Sequence, residues 1–382
     1  MLHIVLCADD NYVKFSSILI TSIINNTNTS KTFIDYGYND ENEGYCFHIL
    51  SDFISKDTSH KLHLLEKDLS KIYPTKIQTH IMSDEYFKTL KKWRGNYLAY
   101  YRIRLAHVLP KDLKRCLYLD SDMLVLQDIR EITTVNIDNY TAAVILDGKN
   151  HSKRKYKKLN SKGYYYFDRN YDYFNSGFLY INLEQWKENH VEQRCFEFLN
   201  HYMPIYPDQD ALNYAIVNSK KLPISWNLMV GYIKGDKEGY NNIFKEKYNI
   251  FRKSILQYTK DEFYYCVQNA KIIHFSLDIK PWHSACLFLY DKDKFKPIKY
   301  PFFNEYWQVA SNVAYFNNDL ISLKHEICNQ KNYDFSKIIS TILQENRFIT
   351  RINYRRLRNM VVILSIISSL NIFFMFFYLL VY

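Results

Sequence analysis

The sequence predicts an α/β domain built on a parallel sheet with helices on both faces. Three observations lead there. Strand-like and helix-like patterns alternate along the first half of the chain, the mark of βαβ units. The apolar run Leu117 to Val125 reads as a buried strand, interrupted near its end by Asp120 and Asp122. And 382 residues, 47% hydrophobic and 24% charged, make a chain that folds and can bury one large core or a core with an appendage.

The first strand is Leu2–Cys7, entered directly from Met1 with no signal-peptide pattern and ending in Ala8-Asp9-Asp10. Residues Phe15–Asn25 carry Ile18, Leu19, Ile20, Ile23 and Ile24 on a helix. A strand at Tyr45–Ile49, a helix at Ser59–Leu69 and a short strand near Ile77–Ile81 follow. Tyr97–Val108 is helical, Cys116–Leu119 and Ala142–Leu146 are strands, and Phe178–Asn182 is another. A helix runs from Leu183 to about Tyr202, and Pro207 starts the next at Asp208-Gln209-Asp210. Residues 300–350 look helical. Between Gly148 and Asp172 lies a basic, aromatic insertion, either a mobile flap over an anionic site or a solvated surface loop.

Composition narrows the partners. The formal charge of +10 favours a nucleotide-sugar, a nucleic acid or an acidic membrane surface. Seven scattered cysteines without a Cys-x-x-Cys pair fit a reducing compartment. Residues 360–382 carry no charge and are almost wholly apolar. At ~1.5 Å per residue they would reach roughly 34 Å, enough to cross a bilayer core. Arg351, Arg355, Arg356 and Arg358 precede them, which would hold the main domain on the cytoplasmic face. An amphipathic or buried terminal helix is the alternative. Nucleic-acid binding through the Lys/Tyr insertion explains neither the acid pair nor the terminal segment, so no nucleic-acid partner is expected.

Asp120 and Asp122 carry the chemistry. Strand side chains alternate, so both can point the same way. Buried carboxylates repel unless a cation lies between them, and hard oxygen ligands suit Mg²⁺ or Mn²⁺ with substrate phosphates. A plain strand end with an Asp-Ser turn is the competing reading.

Several segments in order give the chain a resemblance to glycosyltransferase family 8, with the nearest likeness to bacterial lipooligosaccharide and lipopolysaccharide galactosyl- and glucosyltransferases. They are Ile4 to Tyr12; Ala99 to Ile103; Leu117 to Asp122; Tyr173 to Leu183; Asp208 to Asn213; Trp226-Asn227; and His274-Phe275 with Lys280 to His283. The resemblance implies a GT-A, Rossmann-like nucleotide-diphospho-sugar transferase fold over 1–290. A helical region at 291–350 and a basic, membrane-attaching segment at 351–382 would complete the chain. It implies a UDP-galactose or UDP-glucose donor, Mn²⁺ with Mg²⁺ as the alternative, and a glycolipid or oligosaccharide acceptor. Asp120, Asp122 and His274 would ligate the metal. Ala8, Asp9 and Asn11 would hold uridine and ribose, with Ser121 among the donor-binding residues. Arg102 and Lys280 would meet phosphates or sugar. Asn175, Asp208 and Gln209 would line the sugar pocket, with Asp147 nearby.

Retention of anomeric configuration is implied as well. Gln209 stands where a nucleophile would be needed and is a poor one, which favours a front-face mechanism. Two stretches depart from the family pattern: Leu277-Asp278-Ile279, where a small residue is usual, and Lys91 to Asn96, a region tied to acceptor choice. A catalytically silent partner subunit and a self-glucosylating, glycogenin-like enzyme are the alternative readings.

Overall fold

The alternating strands and helices assemble one seven-stranded sheet. The computed structural model describes residues 1–38, 42–148, 153–169, 172–232, 258–291 and 294–329. They fall almost wholly in the first of two compact units, Met1–Ile327. In chain order they form β1 (Leu2–Cys7), α1 (Val13–Asn25), β2 (Tyr45–Ser51), α2 (Lys56–Leu69), β3 (Thr75–Ile81), α3 (Leu98–Tyr101), β4 (Arg115–Leu119), β5 (Met123–Val125) and β6 (Ala142–Leu146). Then come β7 (Lys153–Lys158), β8 (Tyr164–Asp168), β9 (Phe174–Asn182), α4 (Leu183–Glu188), α5 (Val191–His201), β10 (Tyr202–Met203), α6 (Pro207–Ala215) and β11 (Ser219–Lys221). The remainder is β12 (Leu228–Met229), α7 (Lys260–Gln268), β13 (Ile272–His274), the hairpin β14 (Cys286–Asp291) and β15 (Lys294–Lys299), α8 (Phe303–Ala310) and α9 (Asn317–Asn329).

The main sheet has the order β11-β6-β9-β4-β1-β2-β3. It is mixed, which corrects the expectation of a parallel sheet: β9 runs antiparallel to both β4 and β6. This reversal brings the start of β9, Phe174 to Gly177, to the edge where the parallel strands end. Helix α1 is buried along almost its whole length, from Val13 to Ile24, which suits its Ile-rich sequence.

Other expectations are refined. Tyr97–Val108 is one α-turn followed by a 3-10 stretch, Arg102–His107. Arg102 to Leu105 are all buried there, wedged among β1, α5 and α6. The helix expected from Leu183 breaks in two at His190, whose φ of +50° is left-handed. Within the basic insertion, Lys153–Lys158 and Tyr164–Asp168 form a hairpin: β7 pairs with β8 and β10, with Tyr156 and Phe167 buried and Lys153, Lys155 and Lys157 exposed. The arginine cluster and the apolar segment at 351–382 lie outside the described residues. Among those described, no helix is long and apolar enough to cross a membrane.

On the β1, β2 and β3 side of the sheet, His3, Cys46, His48 and His80 share one face. Burial, with the His3 and His80 rings beside it, pulls His48 down to about 3, so its imidazole is neutral.

Candidate active site

The strand ends converge on a cavity of about 490 Å³, a volume ordinary for a small-molecule site. Its position, at the carboxyl ends of the parallel strands, is where open α/β sheets take ligands. Arg102, Asp120, Asp122, Asp147, Asn175, Asp208, Gln209, His274 and Lys280 all line it. Nine of the residues singled out from sequence therefore meet in one place.

The backbone register brings the acid pair and the histidine together. Strand β4 ends at Leu119, and β5 leaves the main sheet to pair antiparallel with β13, setting His274 opposite Met123. The Phe275 amide donates to the Asp122 carbonyl at 3.0 Å, and the Asp120 amide to the Gly177 carbonyl at 2.8 Å. Each carboxylate has one oxygen held by a cation. Asp120 Oδ1 accepts from Arg102 at 2.8 Å and from the Tyr118 hydroxyl at 2.9 Å. Asp122 Oδ2 accepts from the Lys280 ammonium. The other two oxygens face the imidazole: His274 Nε2 lies 3.8 Å from Asp120 Oδ2 and 3.3 Å from Asp122 Oδ1.

The tautomer of His274 decides what this trio can do. Its Nδ1 lies 2.9 Å from Asn227 Oδ1, and Asn227 Nδ2 donates to Asn175 Oδ1 at 2.9 Å. A carboxamide oxygen only accepts, so Nδ1 carries the proton and Nε2 presents a lone pair. That lone pair and two carboxylate oxygens point at one another, with ligand atoms all within 4.8 Å. Three electron-rich atoms so arranged fit a divalent cation, and Asn227 is the outer partner such a histidine needs. Burial alone would raise Asp122, but the Lys280 ammonium outweighs it and holds its carboxyl well below the usual range.

Gly177 makes the approach possible. A Cβ there would lie 2.7 Å from both Asp120 Oδ2 and His274 Cε1. No larger residue fits beneath the trio.

The sugar-pocket candidates form a second, continuous network. Gln209 Oε1 accepts from Asn175 Nδ2 at 3.0 Å and from the Ser176 amide at 3.1 Å. Its Nε2 donates to Asp147 Oδ2 at 2.9 Å and to the Tyr173 hydroxyl at 3.3 Å. Its carboxamide is thereby pinned at both ends. Asp208 accepts from Ser176 Oγ at 2.7 Å and from Arg102 at 3.1 Å. Burial pushes Asp208 above the usual carboxylate range; Arg102 opposes the shift and Asp120 adds to it. Arg102 thus joins the two networks, its Nε without a hydrogen-bond partner.

Four sequence candidates do not line the cavity. Ser121 points into the protein, donating to the Cys7 carbonyl at 2.8 Å and accepting from Ser16 at 2.9 Å. This buried tie joins the ends of β1 and β4. Ala8 is buried, its amide on the Leu50 carbonyl. Asp9 forms the turn before α1, accepting from the Tyr12 and Val13 amides, and Asn11 is exposed. The neighbouring Tyr12 does sense the acid pair: burial first, then Asp122 and Asp120, push its phenol well up. Sequence reasoning did not single out Ser176, Gly177 or Asn227 as site residues, although all three stand inside its motifs. Both divergent stretches reach the cavity: Trp93 and Arg94 on one side, Leu277 and Asp278 on the other, with Arg94 paired to Asp278.

Comparison with known proteins gives this geometry relatives. The family profile described as Glycosyl transferase family 8 matches residues 3–286. General stress protein A of Bacillus subtilis is 25% identical over 82% of this chain and 98% of its own. A lipopolysaccharide 1,2-glucosyltransferase of Escherichia coli is 27% identical over 72% of this chain and 71% of its own. A solved structure of the galactosyltransferase LgtC, in complex with donor and acceptor sugar analogs, superposes with a TM-score of 0.56. It does so at 17% identity, over 84% of this chain and 100% of that one, and shows the shared fold.

Proposed function

The chain belongs to glycosyl transferase family 8 and is a glycosyltransferase, and on that premise we propose that it moves galactose or glucose from a UDP-sugar to a lipid-linked oligosaccharide, in the assembly of lipopolysaccharide. The observation that carries the reading is the convergence of Asp120 Oδ2, Asp122 Oδ1 and His274 Nε2 inside a cavity that also holds Arg102 and Lys280. The acceptor class is suggested by the named activity of the lipopolysaccharide 1,2-glucosyltransferase relative. The basic and apolar segment at 351–382 fits attachment to the cytoplasmic face of a membrane.

Asp120, Asp122 and His274 would hold Mn²⁺, because a set of two carboxylates and an imidazole suits it better than Mg²⁺. When bound, the ion supplies Lewis-acid stabilisation of the diphosphate leaving group. Arg102 and Lys280 add fixed positive charge where that negative charge grows. The nucleoside is assigned to the loop of Ala8, Asp9 and Asn11, which Ser121 ties to the acid pair. Asp147, Asn175 and Asp208 would orient the sugar hydroxyls.

Gln209 would face the anomeric carbon. Held by hydrogen bonds at both ends, it positions but does not attack. Retention would then proceed on the front face. The UDP–sugar bond breaks, the acceptor oxygen bonds to the anomeric carbon from the same side, and the departing phosphate takes the acceptor proton.

The test is UDP release by the full-length chain across a panel of UDP-sugars, with and without Mn²⁺, beside Asp120→Asn/Asp122→Asn. Metal-dependent release from one hexose donor, lost in the variant, is the expected result. UDP that binds but is released from no donor would overturn the reading in favour of a silent subunit. A glycosyl adduct trapped on Asp147 or Asp208 would overturn the front-face step.

A further inference from the structure

We propose a second metal site, for a zinc-class ion, built from His3, Cys46 and His48 on β1 and β2, none of which lines the sugar cavity. Parallel pairing of β1 with β2 sets His3 beside Cys46, and the period of two along β2 returns His48 to the same face. One ring nitrogen of each histidine and Cys46 Sγ all lie within 4.8 Å of one another, and His3 Nδ1 is 2.9 Å from His48 Nε2. Two imidazoles and a thiol are borderline-soft donors, a set that takes Zn²⁺ and has little affinity for the hard ions suited to Asp120 and Asp122.

The site carries its own outer partner. His48 Nδ1 lies 3.0 Å from His80 Nε2, on β3. A neutral imidazole offers one donor and one acceptor. With its proton on Nδ1 and given to His80, His48 turns the Nε2 lone pair toward His3 and Cys46. This is the arrangement that orients metal-bound histidines.

The fit needs only a small adjustment. His3 Nδ1 and His48 Nε2 are 2.9 Å apart, sharing a proton. Tetrahedral zinc with bonds of ~2.0–2.1 Å spaces its nitrogen ligands about 3.3 Å apart. Opening the pair by a few tenths of an ångström, with the shared proton moved to His3 Nε2, makes room. As the sulfur–zinc bond forms, the Cys46 thiol proton leaves to solvent. Cys46 and His48 are buried, whereas His3 and His80 are part exposed and give an ion its way in. Three protein ligands leave the fourth position to water.

The test is titration of the full-length chain with Co²⁺ as the probe, reading thiolate-to-cobalt charge-transfer absorption. The expected result is one equivalent giving that absorption, displaced by Zn²⁺ and lost in Cys46→Ser. It persists in Cys7→Ser and in Asp120→Asn/Asp122→Asn, which separates it from the sugar cavity. His3→Gln, at a part-exposed position, weakens binding while leaving the fold. His80→Ala lowers affinity about 10- to 100-fold. Absence of the absorption in the natural chain, or its persistence in Cys46→Ser, overturns the proposal.

Discussion

At the scale of single residues, the cavity depends on one side chain that is absent. Gly177 sits in the middle of β9, where glycine weakens a strand and needs a reason. Its backbone is extended, so the reason is space and not dihedral freedom. A Cβ would press on Asp120 Oδ2 and His274 Cε1 at 2.7 Å each. Neither can yield freely: Asp120 is held by Arg102 and Tyr118, and His274 by Asn227. Gly177→Ala must therefore displace the trio. A shift near 1 Å in a catalytic group costs about 100-fold in rate. We expect a loss of that order in kcat/KM, with Mn²⁺ affinity reduced in parallel and the far-UV circular dichroism unchanged. Full activity in Gly177→Ala would show that the trio has more room than its hydrogen bonds suggest. The sequence shows Gly177 only as one letter of a motif, because its neighbours come from segments 57 and 97 positions away in the chain.

At the scale of elements, Asp210 latches the inserted hairpin to the helix that bears Asp208 and Gln209. It is fully buried. One oxygen accepts from the Tyr156 and Tyr173 hydroxyls at 2.7 and 2.6 Å and from Arg154 at 3.3 Å. The other accepts from the Ile205 and Tyr206 amides at 2.7 and 2.8 Å. Tyr156 and Arg154 belong to β7, so α6 and the hairpin share one buried anion. Asp210→Ala strands a buried arginine together with several donors, and breaking such a pair costs about 3–5 kcal/mol. Urea unfolding should register that loss. Hydrogen exchange should quicken first in the amides of 153–168 and 205–206, while metal binding at Asp120 and Asp122 survives. Exchange rising uniformly, or not at all, would sink the latch. The Lys- and Tyr-rich letters of β7 and β8 show their exposed face plainly. What holds the other face down lies some 50 residues away in sequence, which is why the residues alone read as a flap or a loop.

At the scale of the whole molecule, local pattern and non-local pairing divide what the sequence reveals. Strands Leu2–Cys7 and Ala142–Leu146 and the proline start of α6 at Pro207 are legible because they depend on neighbouring residues. The direction of β9 is not, because an apolar run looks the same read toward either end of a sheet. The two- and three-residue strands β5, β12 and β13 are too short to show any period, yet they carry His274 to Asp122. The motif order compensates at the site, where nine named residues meet; Ala8, Asp9, Asn11 and Ser121 fall outside the cavity because motif letters do not say which way a side chain turns. A last non-local tie ends the chain's first third. Arg130, fully buried, donates to the Asn28 and Lys31 carbonyls at 2.6 and 2.7 Å, to the Tyr73 hydroxyl at 2.9 Å and to Asp128 at 2.7 Å. It binds the end of α1, the following loop and the approach to β3 at one point. Arg130→Met removes one partner of a buried pair and should cost about 3–5 kcal/mol. Burial would raise Asp128, but hydrogen bonds from Arg130 and from the Asn28 amide outweigh it and hold its carboxyl below the usual range. A carboxyl depressed in the folded state stabilises the fold fully above its unfolded pKa of about 3.9. That contribution is lost as pH falls through the folded value. Acid unfolding of the natural chain should therefore steepen below about pH 4, and Asp128→Asn, already less stable at pH 7, should show a shallower fall over the same range. Parallel acid curves for the two would show that Asp128 titrates alike folded and unfolded, and that Arg130 holds its loops through the two carbonyls and the Tyr73 hydroxyl.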